Sequence, residues 1–378
     1  MAKRLSRLIN THGTICRLAG DEFVLFMKVK IPFAHVALAD EILTTMSERH
    51  IILGASAEIT ASVGVSIIQD KTINFDDARK QGDVAVNKAK QSGKNGVYYY
   101  NEALKKDYMK NLMVIKALKN AISEKLFDLH YQPKVDLKTQ QTIGVEALLR
   151  WTRQNPDKLT PDVFIPVIES TELIHEIGAW VIEEAWVIEE ACLACKQWHS
   201  QGQRIAVAVN VSALQLAREG FYELVASTLN DCGLEPEYLE IEITEHFLVQ
   251  EDITIVDQLS RLKKLGVKIA IDDFGTGYSN MGYLTRMSVD TLKLDKSFIR
   301  DIDQQNDSLA IVTALSNMTK VLGMSLVAEG VETETERQIL ESINCPIGQV
   351  FLWSKALANK YLMHYLQSEN RSRLVEIV

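Results

Sequence analysis

Two adjacent acidic residues, Asp272 and Asp273, form the part of this sequence best suited to chemistry. They follow the alternating apolar residues 267–271, and the sequence Phe-Gly-Thr-Gly-Tyr-Ser comes directly after them. The alternation predicts a buried strand, and the two glycines allow the next segment to bend sharply. Neighbouring carboxylates repel each other unless a cation lies between them, so the pair predicts a divalent-metal site. A solvated pair of acids at a strand end is the alternative.

Alternation of bulky and polar residues predicts an inward polar side chain at the end of six strands. These side chains are Glu146, Asn210, Glu242, Asp272, Lys293 and Glu329. Asp273 adds a fifth carboxylate, one residue beyond its strand. Each alone would suit a salt bridge at a barrel rim, but one lysine cannot compensate five carboxylates without metal.

The ligand types indicate the metal and its chemistry. Ligands that are all oxygen favour Mg²⁺ or Mn²⁺ over zinc. More carboxylates than one ion requires indicate a two-metal site, whose usual work is to activate water for in-line attack at phosphorus. A lysine beside such a site can hold that water or stabilise the developing charge.

Eight short alternating segments, separated by helical stretches, predict the scaffold that positions these residues. The segments are residues 129–133, 143–146, 205–210, 239–243, 267–272, 291–294, 325–329 and 347–352. This order predicts an α/β fold of the (β/α)8 barrel type, in which active-site residues stand at the carboxyl ends of the strands.

A smaller α/β domain is predicted ahead of the barrel. Its elements are a basic helix at residues 2–10, strands at 16–18, 24–27 and 61–66, and an amphipathic helix at 75–92. Asp21 and Glu22 are predicted at the tip of a hairpin. A helix over residues 101–125 carries an apolar stripe that we interpret as packing between domains.

Residues 179–184, Ala-Trp-Val-Ile-Glu-Glu, are repeated at once as residues 185–190. Six residues are about one and two-thirds helical turns, so a continuous helix would rotate its downstream face by roughly 120°. The repeat is therefore predicted to loop out, or to extend the helix and re-dock it. We interpret it as an incidental duplication, with a functional interface as the alternative.

Bulk properties exclude several classes of function. The 378 residues carry a net charge of -9, which argues against a nucleic-acid polymer as the main partner. Because no uncharged apolar run approaches the roughly 20 residues that span a bilayer, we expect no membrane segment and a cytoplasmic protein. The five cysteines are scattered and odd in number, which argues against a disulfide framework. Cys192 and Cys195 have no second pair of cysteines or histidines at the spacing of a zinc site.

The N-terminal part resembles a GGDEF domain, the diguanylate cyclase fold. The resemblance rests on Ala-Gly-Asp-Glu-Phe at 19–23, Ser-Val-Gly-Val-Ser at 62–66 and the segment 82–100. The chain begins after the family's first strand with its metal-binding aspartate, Ala19 replaces the first signature glycine, and Asn10 and Gly13 stand where an inhibitory R-x-x-D is expected. The resemblance, with these departures, implies a truncated, degenerate domain over residues 1–103 without cyclase activity, followed by a helical linker at 104–118.

Residues 119–358 resemble an EAL-domain phosphodiesterase. The matching motifs are Glu-Ala-Leu at 146–148, Asn-Val-Ser at 210–212, Glu-Ile-Thr-Glu at 242–245, Asp-Asp-Phe-Gly-Thr-Gly-Tyr-Ser at 272–279, Lys-Leu-Asp at 293–295, Glu-Gly-Val-Glu at 329–332, and Gln349. The resemblance implies hydrolysis of cyclic di-GMP to linear pGpG with two Mg²⁺ or Mn²⁺ ions, in bacterial second-messenger signalling. We place this domain at residues 119–378.

The resemblance also implies a role for each matching residue. One metal would be held by Glu146, Asn210, Glu242 and Asp272, and a second by Asp272, Asp273 and Glu329. The catalytic group would comprise Lys293, which contacts the attacking water, with Glu329, Glu332 and Glu245. Glu245 would brace the loop after Asp273, and Glu332 and Gln349 would support the water and the metals. Gln132, Arg150 and Gln349 would face the substrate, where the guanidinium fork suits phosphate. The family suggests a homodimer through the helix and loop following Asp273.

Two other functions remain open. A non-catalytic cyclic di-GMP receptor or signalling scaffold would use the same fold, although it has no need of Lys293 or of both aspartates. A barrel hydrolase for another phosphodiester would lack the guanine contacts. The sequence departs from the family pattern outside the predicted metal ligands, at Ile168, Glu172, Pro346, Val350 and Ala356.

Overall fold

The computed structural model describes residues 2–9, 13–28, 34–52, 55–57, 59–69, 72–155, 158–170, 180–245, 253–275, 289–303, 306–349 and 352–376. By their contacts these residues form two compact units. The first holds the described residues within 1–120 and 162–176, and the second holds those within 121–161 and 177–378. The domain boundaries at residues 103 and 118 stay predictions.

The first unit consists of short strands and helices. Its helices are α1 (Ala2–Ile9), α2 (Ala34–Ser47), α3 (Phe75–Gln91), most of α4 (Glu102–Ser123), and α5 (Pro161–Ser170) from later in the chain. Its strands are β1 (Gly13–Ala19), β2 (Glu22–Met27), β3 (His50–Ile52), β4 (Ala55–Ala57), β5 (Val63–Val65) and β6 (Val97–Tyr99). In the described residues these strands form three separate pairs, of which β5 with β6 is parallel.

The predicted hairpin is confirmed by the antiparallel pairing of β1 with β2, with one of the two predicted acids at its tip. Gly20 takes a left-handed φ of 50°, which lets the chain reverse between the two strands. The guanidinium of Arg17 donates to the Gly20 carbonyl oxygen at 2.6 and 2.8 Å. Asp21 therefore lies at the tip, and Glu22 begins the second strand.

The second unit is a closed barrel of eight strands. They are β7 (Phe127–Asp136), β8 (Gln141–Trp151), β9 (Ala206–Asn210), β10 (Leu239–Thr244), β11 (Lys268–Phe274), β12 (Thr291–Leu294), β13 (Ser325–Glu329) and β14 (Ile347–Gln349). The predicted barrel is confirmed, and each of the eight predicted strands corresponds to one of these. A short ninth strand, β15 (Leu357–Ala358), pairs with β7 outside the ring.

The first barrel strand runs against all the others. Strands β8 to β14 are parallel to their neighbours, whereas β7 is antiparallel both to β8 and to β14, where the ring closes. Four residues join β7 to β8, and Asp136 accepts from the Thr139 backbone N–H at 2.7 Å in this turn. So short a connection permits only an antiparallel pair. The barrel is therefore a modified (β/α)8 barrel.

Helices follow most of the parallel strands. They are α6 (Trp180–Ser200), α7 (Ala213–Leu216), α8 (Phe221–Cys232), α9 (Ile253–Leu265), α10 (Lys296–Ile299), α11 (Asn306–Leu322), α12 (Glu334–Ser342) and α13 (Asn359–Glu376). A capping box between Thr333 and Glu336 begins α12, and Gly233 ends α8 with a left-handed φ of 62°. Local sequence thus sets where several of these helices begin and end.

The six-residue repeat lies in one continuous helix. Residues 180–190, which include nearly all of both copies, belong to α6. Of the two predicted outcomes, the helical extension is the one observed, and no residue within 180–200 loops out. The end of α6 is well docked, since Trp198 is fully buried and its indole N–H donates to Asn359 Oδ1 at 2.8 Å.

Strand alternation separates two environments in the barrel. Val207 and Val209 of β9, with Ile241 and Ile243 of β10, are at most 1% exposed and belong to the core under the helices. The residues between them, such as Glu242, point to the barrel interior because successive side chains leave opposite faces of a strand. Within the described ranges, every helix is too short or too polar to cross a membrane.

We expect Trp198→Ala to destabilise the protein by about 3–5 kcal/mol, since it empties a fully buried site and removes a hydrogen bond. Its ring also packs edge-on against Tyr131 with the ring centroids 4.9 Å apart. Leu193→Ala on the same helix, at a side chain 47% exposed, should cost within about 0.5 kcal/mol. Chemical denaturation measures both, and equal costs would show that α6 is not docked through Trp198.

Candidate metal centre

The Lys293 side chain lies at the centre of the carboxyl-end rim of the barrel and is fully buried. Its ammonium nitrogen is 2.7 Å from Glu242 Oε2 and 2.8 Å from Glu329 Oε1. It is also 3.1 Å from Asp272 Oδ1 and 3.3 Å from Glu146 Oε2. Four strands therefore deliver carboxylates to one point, as the alternation of their residues predicts.

Glu146 is held by amide side chains on both sides. Asn210 donates from Nδ2 to Glu146 Oε1 at 2.5 Å, and Gln349 donates from Nε2 to Glu146 Oε2. Gln132 of β7 lies directly opposite Glu146 in the antiparallel pair. Asn210 and Gln349 thus contact the same carboxylate, and Gln132 lies opposite it in the strand register, so the structure brings these three predicted site residues together.

Asp273 reaches the centre through an irregularity in β11. Its φ of 53° is left-handed, and the pairing of β11 with β12 shifts register between Ile271 and Phe274. The prediction that Asp273 lies one residue beyond its strand is wrong, because β11 continues to Phe274. The physical reason is a bulge: it inserts an unpaired residue, after which the strand resumes its pairing at Phe274.

Glu245 lies just beyond β10 and is 1% exposed. Its Oε2 accepts from the Gly275 backbone N–H at 2.7 Å. Gly275 has a φ of 98°, and a Cβ added there would collide with the Phe298 ring, so glycine is required at this position. The contact ties the end of β10 to the first residue after β11.

Burial and neighbouring charges shift the pKa values of the carboxylates of the centre in different directions. Burial opposes ionisation of Glu242, but Lys134 and Lys293 outweigh it and lower its pKa to about 2. For Glu146, burial and the nearby Glu242 charge raise the pKa, and burial raises the pKa of Glu329 to about 8. The pKa of Lys293 is raised well above its ordinary value, because the surrounding carboxylates outweigh burial. The protein alone therefore leaves part of this negative charge poorly compensated.

Carboxylate oxygens approach closely enough to hold metal in two groups that share Asp272. One group is Glu146, Glu242 and Asp272, and the other is Asp272, Asp273 and Glu329, with the oxygens of each group within 4.8 Å of one another. Gln349 Oε1 is buried and, among the described residues, has no hydrogen-bond partner. Hard oxygen donors and an unsatisfied buried carbonyl oxygen both fit Mg²⁺ or Mn²⁺.

Two predicted site residues lie apart from this cluster. Glu332 is exposed in the segment after β13, and its backbone N–H donates to Glu336 Oε2 at 2.7 Å. Arg150 is half-buried near the end of β8, and its guanidinium donates to the Leu149 carbonyl oxygen at 2.9 Å. Of the departures from the family pattern, Glu172 and Val350 lie outside the described residues.

Two charged residues of the barrel interior are missing from the predicted site. Lys134 on β7 and Glu240 on β10 are joined by a 2.5 Å ion pair, and Lys134 also lies 2.6 Å from Glu242 Oε1. The sequence pattern predicts that the first strand ends at Pro133, and this boundary excludes Lys134 from the predicted site. The signal was present, because Lys134 is two residues from Gln132, and Glu240 two from Glu242, on the same strand faces.

Comparisons with known proteins identify the family of this chain. The family model described as EAL domain matches residues 115–356, and the one described as diguanylate cyclase, GGDEF domain, matches residues 1–96. Among solved structures, the PaMucR phosphodiesterase in complex with c-di-GMP is 38% identical, with a TM-score of 0.61. The match covers 66% of this chain and 99% of that one.

Two curated relatives come from Pseudomonas aeruginosa. The bifunctional diguanylate cyclase/cyclic di-GMP phosphodiesterase MucR is 34% identical over 364 residues, which are 96% of this chain and 52% of MucR. The cyclic di-GMP phosphodiesterase NbdA is 31% identical over 369 residues, which are 97% of this chain and 46% of NbdA. The chain thus spans about half the length of these relatives. It belongs to the EAL domain family, and its residues 1–96 match the GGDEF domain model.

Proposed function

We propose that this chain hydrolyses cyclic di-GMP to linear pGpG. The observation that carries the proposal is the convergence of four carboxylates on one buried lysine, with a fifth, Asp273, completing a second possible metal group. The relatives named as cyclic di-GMP phosphodiesterases, and the solved PaMucR complex with c-di-GMP, support the choice of substrate.

The residues present fit two hard divalent ions. Glu146, Asn210, Glu242 and Asp272 would hold one ion, and Asp272, Asp273 and Glu329 would hold the other. When bound, Mg²⁺ or Mn²⁺ would lower the pKa of a bound water and neutralise charge on the phosphodiester. Asp272 belongs to both carboxylate groups, which supports its role as the residue shared between the two ions.

The residues of the chain would position the reactants. Lys293, whose ammonium lies among the carboxylates, would orient the attacking water and stabilise negative charge that develops at phosphorus. Glu245 would hold the segment after Asp273 through Gly275. Gln349, which donates to Glu146, would fix that carboxylate and offer its free oxygen to the water or metal shell.

Substrate contacts are proposed for Gln132, Arg150 and Gln349, and a supporting role for Glu332. Gln132 and Gln349 lie beside Glu146, which favours contact with a substrate bound at the metals. Arg150 lies four residues beyond Glu146 on the same strand and therefore points from the same face. Its fork would suit a phosphate oxygen pair.

A non-catalytic receptor for cyclic di-GMP is the second candidate. A receptor needs a pocket but no buried nucleophile-orienting lysine, so the burial of Lys293 among carboxylates favours hydrolysis. Formation of pGpG distinguishes a phosphodiesterase from a receptor.

The homodimer and the cytoplasmic location are also proposals. The predicted dimer contact, the helix and loop following Asp273, falls largely on residues 276–288, which lie outside the described residues. Light scattering of the purified protein with and without Mg²⁺ would determine whether it dimerises.

We expect Glu146→Gln to abolish turnover, because the isosteric amide keeps the shape of the side chain and removes a metal-binding charge. The loss should exceed the ~10–100-fold that removal of a partner behind a metal ligand costs. Turnover is measured by chromatographic separation of cyclic di-GMP from pGpG in the presence of Mn²⁺. Glu237→Gln, at an exposed acid of the same barrel, is the matched control and should keep full activity. Tight nucleotide binding by the wild type without any pGpG would favour the receptor.

Lys293→Met should separate binding from chemistry. If the ammonium orients the water, the variant loses about 10²–10³ in kcat and still binds cyclic di-GMP. Lys264→Met, at an exposed lysine of α9, controls for the loss of one positive charge. Full turnover by Lys293→Met would contradict the proposed role of the lysine.

Metal removal should affect the stability of the same variant. In a chelator, Lys293→Met leaves four neighbouring carboxylates without their shared cation, which should cost about 3–5 kcal/mol. Because a ligand that binds the folded state stabilises it, added Mn²⁺ should raise the melting temperature of the variant more than that of the wild type. Equal shifts measured by calorimetry would show that metal and ammonium do not compensate the same charges.

A further inference from the structure

A second polar layer lies inside the barrel, beneath the predicted metal ligands. It is formed by Lys134, Glu240 and Thr291, each two residues deeper on its strand than Gln132, Glu242 and Lys293 respectively. Lys134 is deeper although it follows Gln132, because β7 runs against its neighbours. Lys134 and Thr291 are buried, and the Glu240 side chain is 15% exposed.

Both layers meet at Glu242, whose two oxygens are held by different lysines. Lys134 Nζ lies 2.6 Å from Oε1, and Lys293 Nζ lies 2.7 Å from Oε2. Lys293 is also the lysine that contacts Glu146, Asp272 and Glu329. Oε2 of Glu242 therefore faces the metal-binding carboxylates, and Oε1 faces the layer below.

Lys134 is itself fixed in place. Glu240 accepts from it through Oε1 at 2.5 Å, and Glu240 Oε2 accepts from the Thr291 hydroxyl at 2.8 Å. A lysine held by two carboxylates in the barrel interior has little freedom to move, since either ion pair would have to break without water to replace it. Of the predicted metal-binding carboxylates, Glu242 is the one that Lys134 pairs with in the described part of the chain.

We infer that Lys134 is a positioning residue for metal binding: it holds Oε1 of Glu242 from below, so that Oε2 is the oxygen presented to the metal. The inference rests on the proposed function. Fixed partners behind a metal ligand set its orientation, and their loss typically weakens metal affinity about 10–100-fold. Lys134 would thus control affinity without contacting metal or substrate.

The test uses the full chain and Mn²⁺ alone, with affinity measured by titration calorimetry. The decisive variant is Lys134→Met combined with Glu240→Gln, because it keeps the net charge of the lower layer and leaves Glu242 paired with Lys293 through Oε2. We expect it to fold, with a melting temperature close to the wild type in chelator, and to bind Mn²⁺ about 10–100-fold more weakly. Thr291→Val, which removes an uncharged hydrogen-bond donor from the same layer and leaves Lys134 on Glu242, should keep wild-type affinity.

The outcomes separate this inference from the proposed function. A stably folded double variant with wild-type Mn²⁺ affinity overturns the positioning role while hydrolysis by the wild type still stands. Equal losses in the double variant and in Thr291→Val also overturn it, because the layer would then act as general packing. A wild type that binds no Mn²⁺ overturns both. Should the double variant unfold, Lys134→Met alone provides the same comparison. Loss of the lysine makes the site more negative, which by itself would strengthen Mn²⁺ binding. A weaker Mn²⁺ affinity of this variant would therefore show that positioning is lost.

Discussion

The burial of the Lys293 ammonium among four carboxylates is the interaction on which the rest of the site depends. Isolated ions are costly to remove from water, and buried pairs persist when the geometry satisfies both partners. Here one cation faces Glu146, Glu242, Asp272 and Glu329 within 3.3 Å, so attraction is strong while repulsion between the carboxylates is incompletely offset. The raised pKa of Glu329 is a direct result of that burial. A site in this condition favours additional cations.

The barrel makes this concentration of charge tolerable. Aliphatic residues such as Val209 and Ile241 face the helices and form the hydrophobic core. The strands therefore lie between this core, whose burial stabilises the fold, and the polar interior of the barrel. The interior side chains then project from a closed ring of backbone hydrogen bonds, which limits how far each carboxylate can retreat from its neighbours. Amides of Asn210 and Gln349 hold Glu146 in the same way that Lys134 holds Glu242. Glu146 and Glu242 are thus each positioned by groups from other strands.

Much of this was predictable from the sequence, and the exceptions have physical causes. Period-two alternation identified the eight strands and the inward groups at six strand ends, because alternation depends on local residue order alone. The strand end that the sequence predicts at Pro133 excludes Lys134, although proline is tolerated within a strand where its missing N–H is not needed. The bulge at Asp273 depends on the left-handed φ of that residue. Aspartate adopts both left-handed and ordinary φ values, so the residue type alone does not predict the bulge. The four-residue turn between β7 and β8 did contain the signal for the reversed first strand.

The reversed strand also determines where the chain enters the barrel. Phe127, at the start of β7, pairs with Trp151 at the far end of β8, beyond Glu146. In a barrel with every strand parallel, the first strand would begin at the opposite end from the ligands. Here the polypeptide arrives at the ligand-bearing rim itself, and five residues later it has reached Gln132. A pull or twist on the helix that ends at Ser123 would therefore act first on the strand that carries Gln132 and Lys134, before it reached the base of the barrel.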